Sequence, residues 1–205
     1  MVEQGTPEWQ ALRTGFLTAS RTADMLATIK TGESASRRNL RAELVVERLT
    51  NSKTEGFTSS AMQWGIDNEP LARMAYEVKT NSFVDKVAFV RHQTIEWFGC
   101  SPDGLVDDDG MVEFKCPNSA THLEYLESRE VPKNYYTQMQ TQLSVTGRKW
   151  NDFCSFDPRF PDGLHLLIIR VNRDEEFIAK LESETIKFLG EVDEKVKSLK
   201  LQVTL

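Results

Sequence analysis

Residues 101–117 read SPDGLVDDDGMVEFKCP, and charges sit where a strand should be apolar. Alternate residues of a strand point to opposite faces, so Glu113 and Lys115 project together while Val112, Phe114 and Cys116 point to a buried side. Asp109-Gly110 is a hairpin signal, and it puts Asp103, on its Pro-Asp-Gly turn, on the partner arm beside Glu113. Two neighbouring carboxylates repel unless one is protonated or a cation neutralises them. A hard, oxygen-binding ion such as Mg²⁺, held by one or two carboxylates plus a substrate phosphate, meets that need. Lys115 could then orient or deprotonate a bound water, or stabilise charge on a phosphate. A surface salt bridge between Glu113 and Lys115 explains the spacing equally well.

Around this hairpin the period changes. Before it, Thr6-Pro7-Glu8 opens a helix with Trp9, Leu12 and Phe16 as its apolar stripe. TASRTADMLAT (18–28) restarts one, capped by Thr18 or Ser20, and KTGESASRR is a polar loop. Leu40, Leu44, Val45 and Leu49 mark a third helix. A fourth begins near Ser59, carries Leu71, Met74, Ala75 and Val78, and should kink or restart at Pro70. From Ser82 onward FVDKVAFVRH, TIEWFGCS, LVDDDGMVEFKCP, DFCSFD and LHLLIIRVN read as strands. KNYYTQMQTQLSVTG is a helix between the motif strand and the next, ended by Gly147. A last helix spans 174–199. The pattern predicts a single domain over 1–205, a mixed α/β fold with a central, mostly antiparallel sheet flanked by helices.

The 205 residues include 40% hydrophobic and 27% charged positions, an ordinary soluble composition without a membrane span or secretory signal. Cys100, Cys116 and Cys154 lack CxxC spacing. They point to a reducing compartment, expected to be the cytoplasm, and to no structural zinc or four-cysteine iron–sulfur cluster. His92, His122 and His165 are scattered and read as structural. The net charge of -6 argues against a general nucleic-acid coat. It is uneven, though: seven basic and four acidic residues lie between Arg13 and Arg48, against eight acidic and four basic between Asp174 and Lys197. That asymmetry suits one anion-facing surface and one solvated face, or chance clustering on exposed helices.

Several segments, in order, resemble the lambda-type (YqaJ-like) exonucleases of phage and prophage recombination, within the PD-(D/E)xK nuclease superfamily. They are VEQGTPEWQALRTGFLTAS, QWGIDNEPLARMAYE, CSPDGL with VEFKCP, YYTQMQTQLSVTG and FDPRFPDGLHLLIIRV. The resemblance implies a restriction-endonuclease-like core in which Asp103, Glu113 and the Phe114 backbone carbonyl bind metal, with Lys115 beside the attacking water. Glu69 corresponds to an upstream acid of the site, and Gln138 to a glutamine completing the pocket. Tyr135 shares a helix face with Gln138 and would line the cleft. Arg13, Ser20 and Ser101 match residues holding a terminal 5′-phosphate, and Lys30 stands near the duplex. Trp9 and Trp64 also match, in settings where tryptophan is more often core. Two positions depart: Thr121 and Lys30 both replace arginines, which puts a phosphate contact in doubt and removes a planar fork.

The expected function is a Mg²⁺-dependent exonuclease, with Mn²⁺ as a substitute and two ions per site when DNA is bound. It would degrade one strand of duplex DNA 5′ to 3′ and release mononucleotides. The 3′ overhang would go to a single-strand annealing protein, and the resemblance implies a homotrimeric ring on DNA ends. The alternatives are an endonuclease of repair or restriction, and a DNA-end-binding scaffold without turnover.

Overall fold

A computed structural model describes residues 2–53 and 59–203. Helix α1 (Pro7–Arg13) is capped by the Thr6 hydroxyl, which accepts from the Trp9 N–H. A short strand β1 (Leu17–Thr18) follows, then a 3₁₀ turn (Ala19–Arg21) and the four-residue helix α2 (Thr22–Met25). The single helix expected over 18–28 is therefore broken: Leu17 and Thr18 are taken up by pairing with another strand, and Thr18 caps nothing through its side chain. Helix α3 (Ala35–Thr50) starts on a Ser34 cap. Helix α4 (Ser60–Thr80) runs through Pro70 without restarting, contrary to expectation. Proline there removes the donor to the Ile66 carbonyl, and Ile66 is exposed, so water can take that role.

Strands β2 (Val84–Asp85), β3 (Val90–Arg91), β4 (Phe98–Cys100), β5 (Gly104–Val106) and β6 (Gly110–Lys115) come next. Helices α5 (Ser119–Ser128) and α6 (Lys133–Thr146) carry the chain over to β7 (Trp150–Phe156). Strand β8 (Leu166–Asn172) and the long helix α7 (Glu175–Val203) complete the described chain. Five strands pair in the order β2-β5-β6-β7-β8, antiparallel except for β6 and β7, which are parallel; a smaller sheet runs β1-β4-β3. The mixed α+β, mostly antiparallel reading holds.

The hairpin differs from its expected form. Gly110 is the first residue of β6, opposite Val106, and Asp107 takes the left-handed conformation in a three-residue loop, 107–109. Gly104 opens β5, and a Cβ there would overlap Val84, so this glycine serves close strand packing.

Both faces of the larger sheet are covered. Val112, Phe114, Cys154 and Phe156 pack with Ala72 and Tyr76 of α4. On the opposite face Met111 meets Leu143 and Ile178, and Phe153 meets Met139. A parallel pair needs a crossover and buried faces; α5–α6 supplies the crossover, and α4 on one side and α6 on the other supply the cover. The second large cluster joins Leu17, Leu40, Leu44 and Phe98 to Leu181, Phe188 and Val192 of α7. Among the described residues no helix is long and apolar enough to cross a membrane.

The basic N-terminal third is largely neutralised within the chain. Arg37 and Arg41 share Glu33 and Glu191, Arg48 reaches Asp193, and Arg21 pairs with Asp24 and Glu43. The charge asymmetry read from sequence therefore mainly staples α3 to α7. Lys30 and Arg38 are exposed and have no ion pair among the described residues.

Candidate active site

Strand β6 carries Glu113 inward, against α6. The carboxylate is 1% exposed, so the Glu113–Lys115 pair is not a surface salt bridge. Three donors hold it: Lys115 Nζ and Gln138 Nε2, each 2.5 Å from Oε1, and Gln142 Nε2, 2.6 Å from Oε2. Gln142 is held in turn, its Oε1 accepting from Asn151 Nδ2 at 2.7 Å. A buried carboxylate without such partners would be costly; with them it is fixed in one orientation.

Asp103, just before β5, accepts the Phe114 N–H at Oδ2, 2.8 Å away, so its carboxylate lies against β6. Burial lifts its pKa well above the usual carboxylate range; Glu113 adds to the shift, Lys115 opposes it, and Glu69 adds a little more. Burial alone would lower Lys115, but Glu113 and Asp103 outweigh it and hold the ammonium above the ordinary lysine range. The lysine is thus charged near neutrality, which favours orienting or charge-stabilising roles over proton abstraction. Its Nζ stands 4.9 Å from the Tyr135 ring centroid, and Tyr135 stacks on Phe153.

Asp103, Lys115, Glu69 and Tyr135 line one cleft of about 710 Å³, together with Trp64 and Arg159. Glu69 is tied there by Arg73, whose Nη2 donates to Glu69 Oε1 at 3.0 Å and to the Asp103 carbonyl at 2.8 Å.

Of the residues expected to hold a phosphate, two are linked. The Trp9 indole N–H donates to Ser101 Oγ at 3.0 Å, and the Arg13 guanidinium lies 3.9 Å over the Trp9 ring. Burial lowers Arg13 to about 10, against the opposing pull of Glu47, and its Nε has no acceptor among the described residues. Ser20 is exposed, 3.4 Å from Thr18 Oγ1. Because β1 and β4 are parallel with Thr18 level with Gly99, Ser20 and Ser101 each lie two residues past that register. Neither Trp9 nor Trp64 belongs to the buried core. Lys30 is exposed, and Thr121 is the residue whose N–H the Asn118 side chain caps at the start of α5.

Sequence reasoning missed Gln142 and Arg73. Each lies four residues after a named site residue on its helix, Gln138 and Glu69, and that spacing was the available signal. His122 is structural as expected, bridging Ser155 Oγ and the Leu164 carbonyl. Cys100, Cys116 and Cys154 are all free.

The family model of the YqaJ-like viral recombinase domain matches residues 8–149. The chain belongs to the YqaJ-like family. Among solved structures it resembles an alkaline exonuclease (LHK-Exo) of Laribacter hongkongensis, with TM-score 0.90 and 42% identity over 97% of this chain and 98% of that one. LHK-Exo in complex with dAMP matches at the same identity and coverage, with TM-score 0.91. A phage related exonuclease of Haemophilus somnus 129PT, 15% identical with TM-score 0.72 over 93% of this chain and 99% of that one, shares the fold. No curated protein matches. This kinship bears out the resemblance read from the motifs and the PD-(D/E)xK fold. At the coarse level it also bears out a nuclease of the exonuclease kind.

The donor set of this YqaJ-like site fits a hard cation. It is all oxygen, and Asp103 is a carboxyl that a nearby positive charge would relieve. Among the described residues no group of three or more His, Cys, Asp or Glu is gathered for a metal. An ion there would need the Phe114 carbonyl, water and substrate oxygens to complete its shell.

Proposed function

We propose that the protein is a Mg²⁺-dependent exonuclease that degrades one strand of linear double-stranded DNA from its 5′ end, releasing mononucleotides. The observation that carries this reading is the convergence of Asp103, Glu113 and Lys115 beside one cleft, two residues from Ser101 and its Trp9–Arg13 partners. Asp103, Glu113 and the Phe114 carbonyl would hold the ion, with Mn²⁺ an acceptable substitute and a second ion joining with DNA. Such an ion neutralises phosphate charge and makes water a better nucleophile.

The chain's own groups do the rest. Gln138 and Gln142 fix the Glu113 carboxylate, and Glu69, tied through Arg73 to the Asp103 carbonyl, adds negative charge. Lys115, held as an ammonium, orients the attacking water and stabilises charge growing on the scissile phosphate. Arg13, Ser20 and Ser101 would hold the terminal 5′-phosphate, and Tyr135 and Lys30 would contact the DNA. That the related LHK-Exo is found with dAMP supports a mononucleotide product. The remaining 3′ strand would pass to an annealing protein. We also place the working form as a homotrimer around DNA; exposed apolar Leu71, Met74, Val78 and Phe83, on and just after α4, support burial against another copy.

The deciding experiment digests linear duplexes with 5′-phosphate or 5′-hydroxyl ends, and closed circles, with Mg²⁺ or with chelator. Consumption of the phosphorylated linear duplex only with Mg²⁺, and survival of the circle, is expected. Cutting of closed circles would mean an endonuclease, and end binding without digestion a scaffold.

A further inference from the structure

Arg159 is absent from the chemistry above, yet it lines the same cleft. Strands β6 and β7 are parallel with Lys115 level with Ser155, so Lys115 and the loop after β7 leave the sheet at the same end. In that loop the fully buried Asp157 takes the Arg159 fork side-on, from Nε at 2.8 Å and Nη2 at 2.9 Å. The Arg159 backbone N–H, at 3.0 Å, and Ser119 Oγ, at 2.7 Å, complete its shell. The guanidinium lies 4.5 Å from the Trp64 ring centroid of α4. Carboxylate, indole and backbone thus fix a long side chain that is still 49% exposed. Its Nη1 forms no hydrogen bond among the described residues. The Trp64 indole N–H is likewise buried without an acceptor there, a state that costs stability unless something supplies one.

Lys115 is held against Glu113 and faces the scissile phosphate, so Arg159 is the cation of this cleft, outside the chemistry above, whose Nη1 is left for another anion. We propose that Arg159, with the Trp64 indole N–H, is a positioning residue for a backbone phosphate of the digested strand. Arg13, Ser20 and Ser101 lie outside the cleft lining, so their terminal phosphate would enter from one side of Asp103. The phosphate on Arg159 is then the linkage one nucleotide 3′ of the scissile one. The rigid fork holds the strand in register while the first nucleotide is removed. This inference rests on the nuclease reading.

The test pairs protein variants with single methylphosphonates, which remove the charge of one linkage. Arg159→Ala is combined with Asp157→Asn, so that no buried charge is stranded, and Arg159→Lys keeps the charge without the fork. Each is assayed by KM and kcat, and by anisotropy of the same 5′-phosphorylated duplexes with Ca²⁺. A charge-assisted contact predicts about tenfold to a hundredfold weaker KM and binding for the double variant. That loss should vanish when the linkage 3′ of the scissile one is already neutral, and Arg159→Lys should recover only part of it. Losses that multiply at every linkage would overturn the inference, leaving Arg159 an anchor for its loop. Coupling in binding without digestion would sink the nuclease reading and reduce Arg159 to a phosphate contact; digestion without coupling would overturn this inference alone; neither would end both.

Discussion

Asp103 is a carboxyl that the fold strains when it is ionised, and this has a sign. Its native pKa is raised, so the folded chain keeps a proton that the unfolded chain has already lost. That contribution is complete below the ordinary aspartate range and drains away as pH climbs through the raised native value. The metal-free protein should therefore melt at lower temperature at pH 8 than at pH 5. Asp103→Asn should flatten the slope, and Mg²⁺ should oppose it in the parent protein only. An unchanged slope in Asp103→Asn, by scanning calorimetry, would show that this carboxyl is not its source. Asp103→Asn and Glu113→Gln should also abolish cleavage in folded protein. Lys115→Ala should slow single-turnover cleavage by about 10²–10⁴-fold while Mg²⁺ and DNA still bind. Asp103, Glu113 and Lys115 were legible because their spacing on a hairpin is chemically odd. The burial of Glu113 was not, since its cover comes from α6, more than twenty residues further on.

Helix α6 shows where reading elements from sequence runs out. Its inner face is polar, with Thr137, Gln140, Thr141, Gln142 and Ser144 all buried. Each finds a partner: Gln140 takes the Asn172 carbonyl and the Asp174 N–H, Thr141 meets Thr22, and Ser144 reaches Glu182. The helix and its Gly147 stop were legible from periodicity and the left-handed terminus. Nothing in QMQTQLS said that its glutamines were interior, because satisfaction of a buried amide is decided by distant strands. The apolar part of the same helix is ordinary. Leu143→Ala, beside Met111 and Ile178, should cost about 2–5 kcal/mol in urea unfolding. A loss below 1 kcal/mol would mean that the site collapses around the cavity. Pro70 and the broken segment 18–28 were misread for a related reason: solvent around one, and a partner strand for the other, overrode local preference.

At the scale of the whole molecule, Val78 and Phe83 are 86% and 87% exposed, an arrangement that suits burial in an assembly. Light scattering should give a mass near three chains, and Val78→Asp with Phe83→Asp should reduce it to one. A monomer in the parent protein at micromolar concentration would remove the ring and leave the site chemistry standing. Arg13→Ala should slow digestion of 5′-phosphorylated ends about tenfold to a hundredfold and 5′-hydroxyl ends little. Equal slowing would return Arg13 to general DNA affinity. The mixed fold was visible from the change of period near residue 82. The distribution of charge was misleading, since Arg37, Arg41 and Arg48 are spent on α7.

The cluster that joins Leu17, Leu40 and Phe98 to Leu181, Phe188 and Val192 has a consequence for how the protein is made. Residues near 17 leave the ribosome long before those near 190, and the apolar face of α3 stays without its cover for most of translation. At about 5–20 residues per second, that interval lasts several seconds or more. A nascent chain is thus kept from finishing its fold until α7 emerges to close over what was synthesised first.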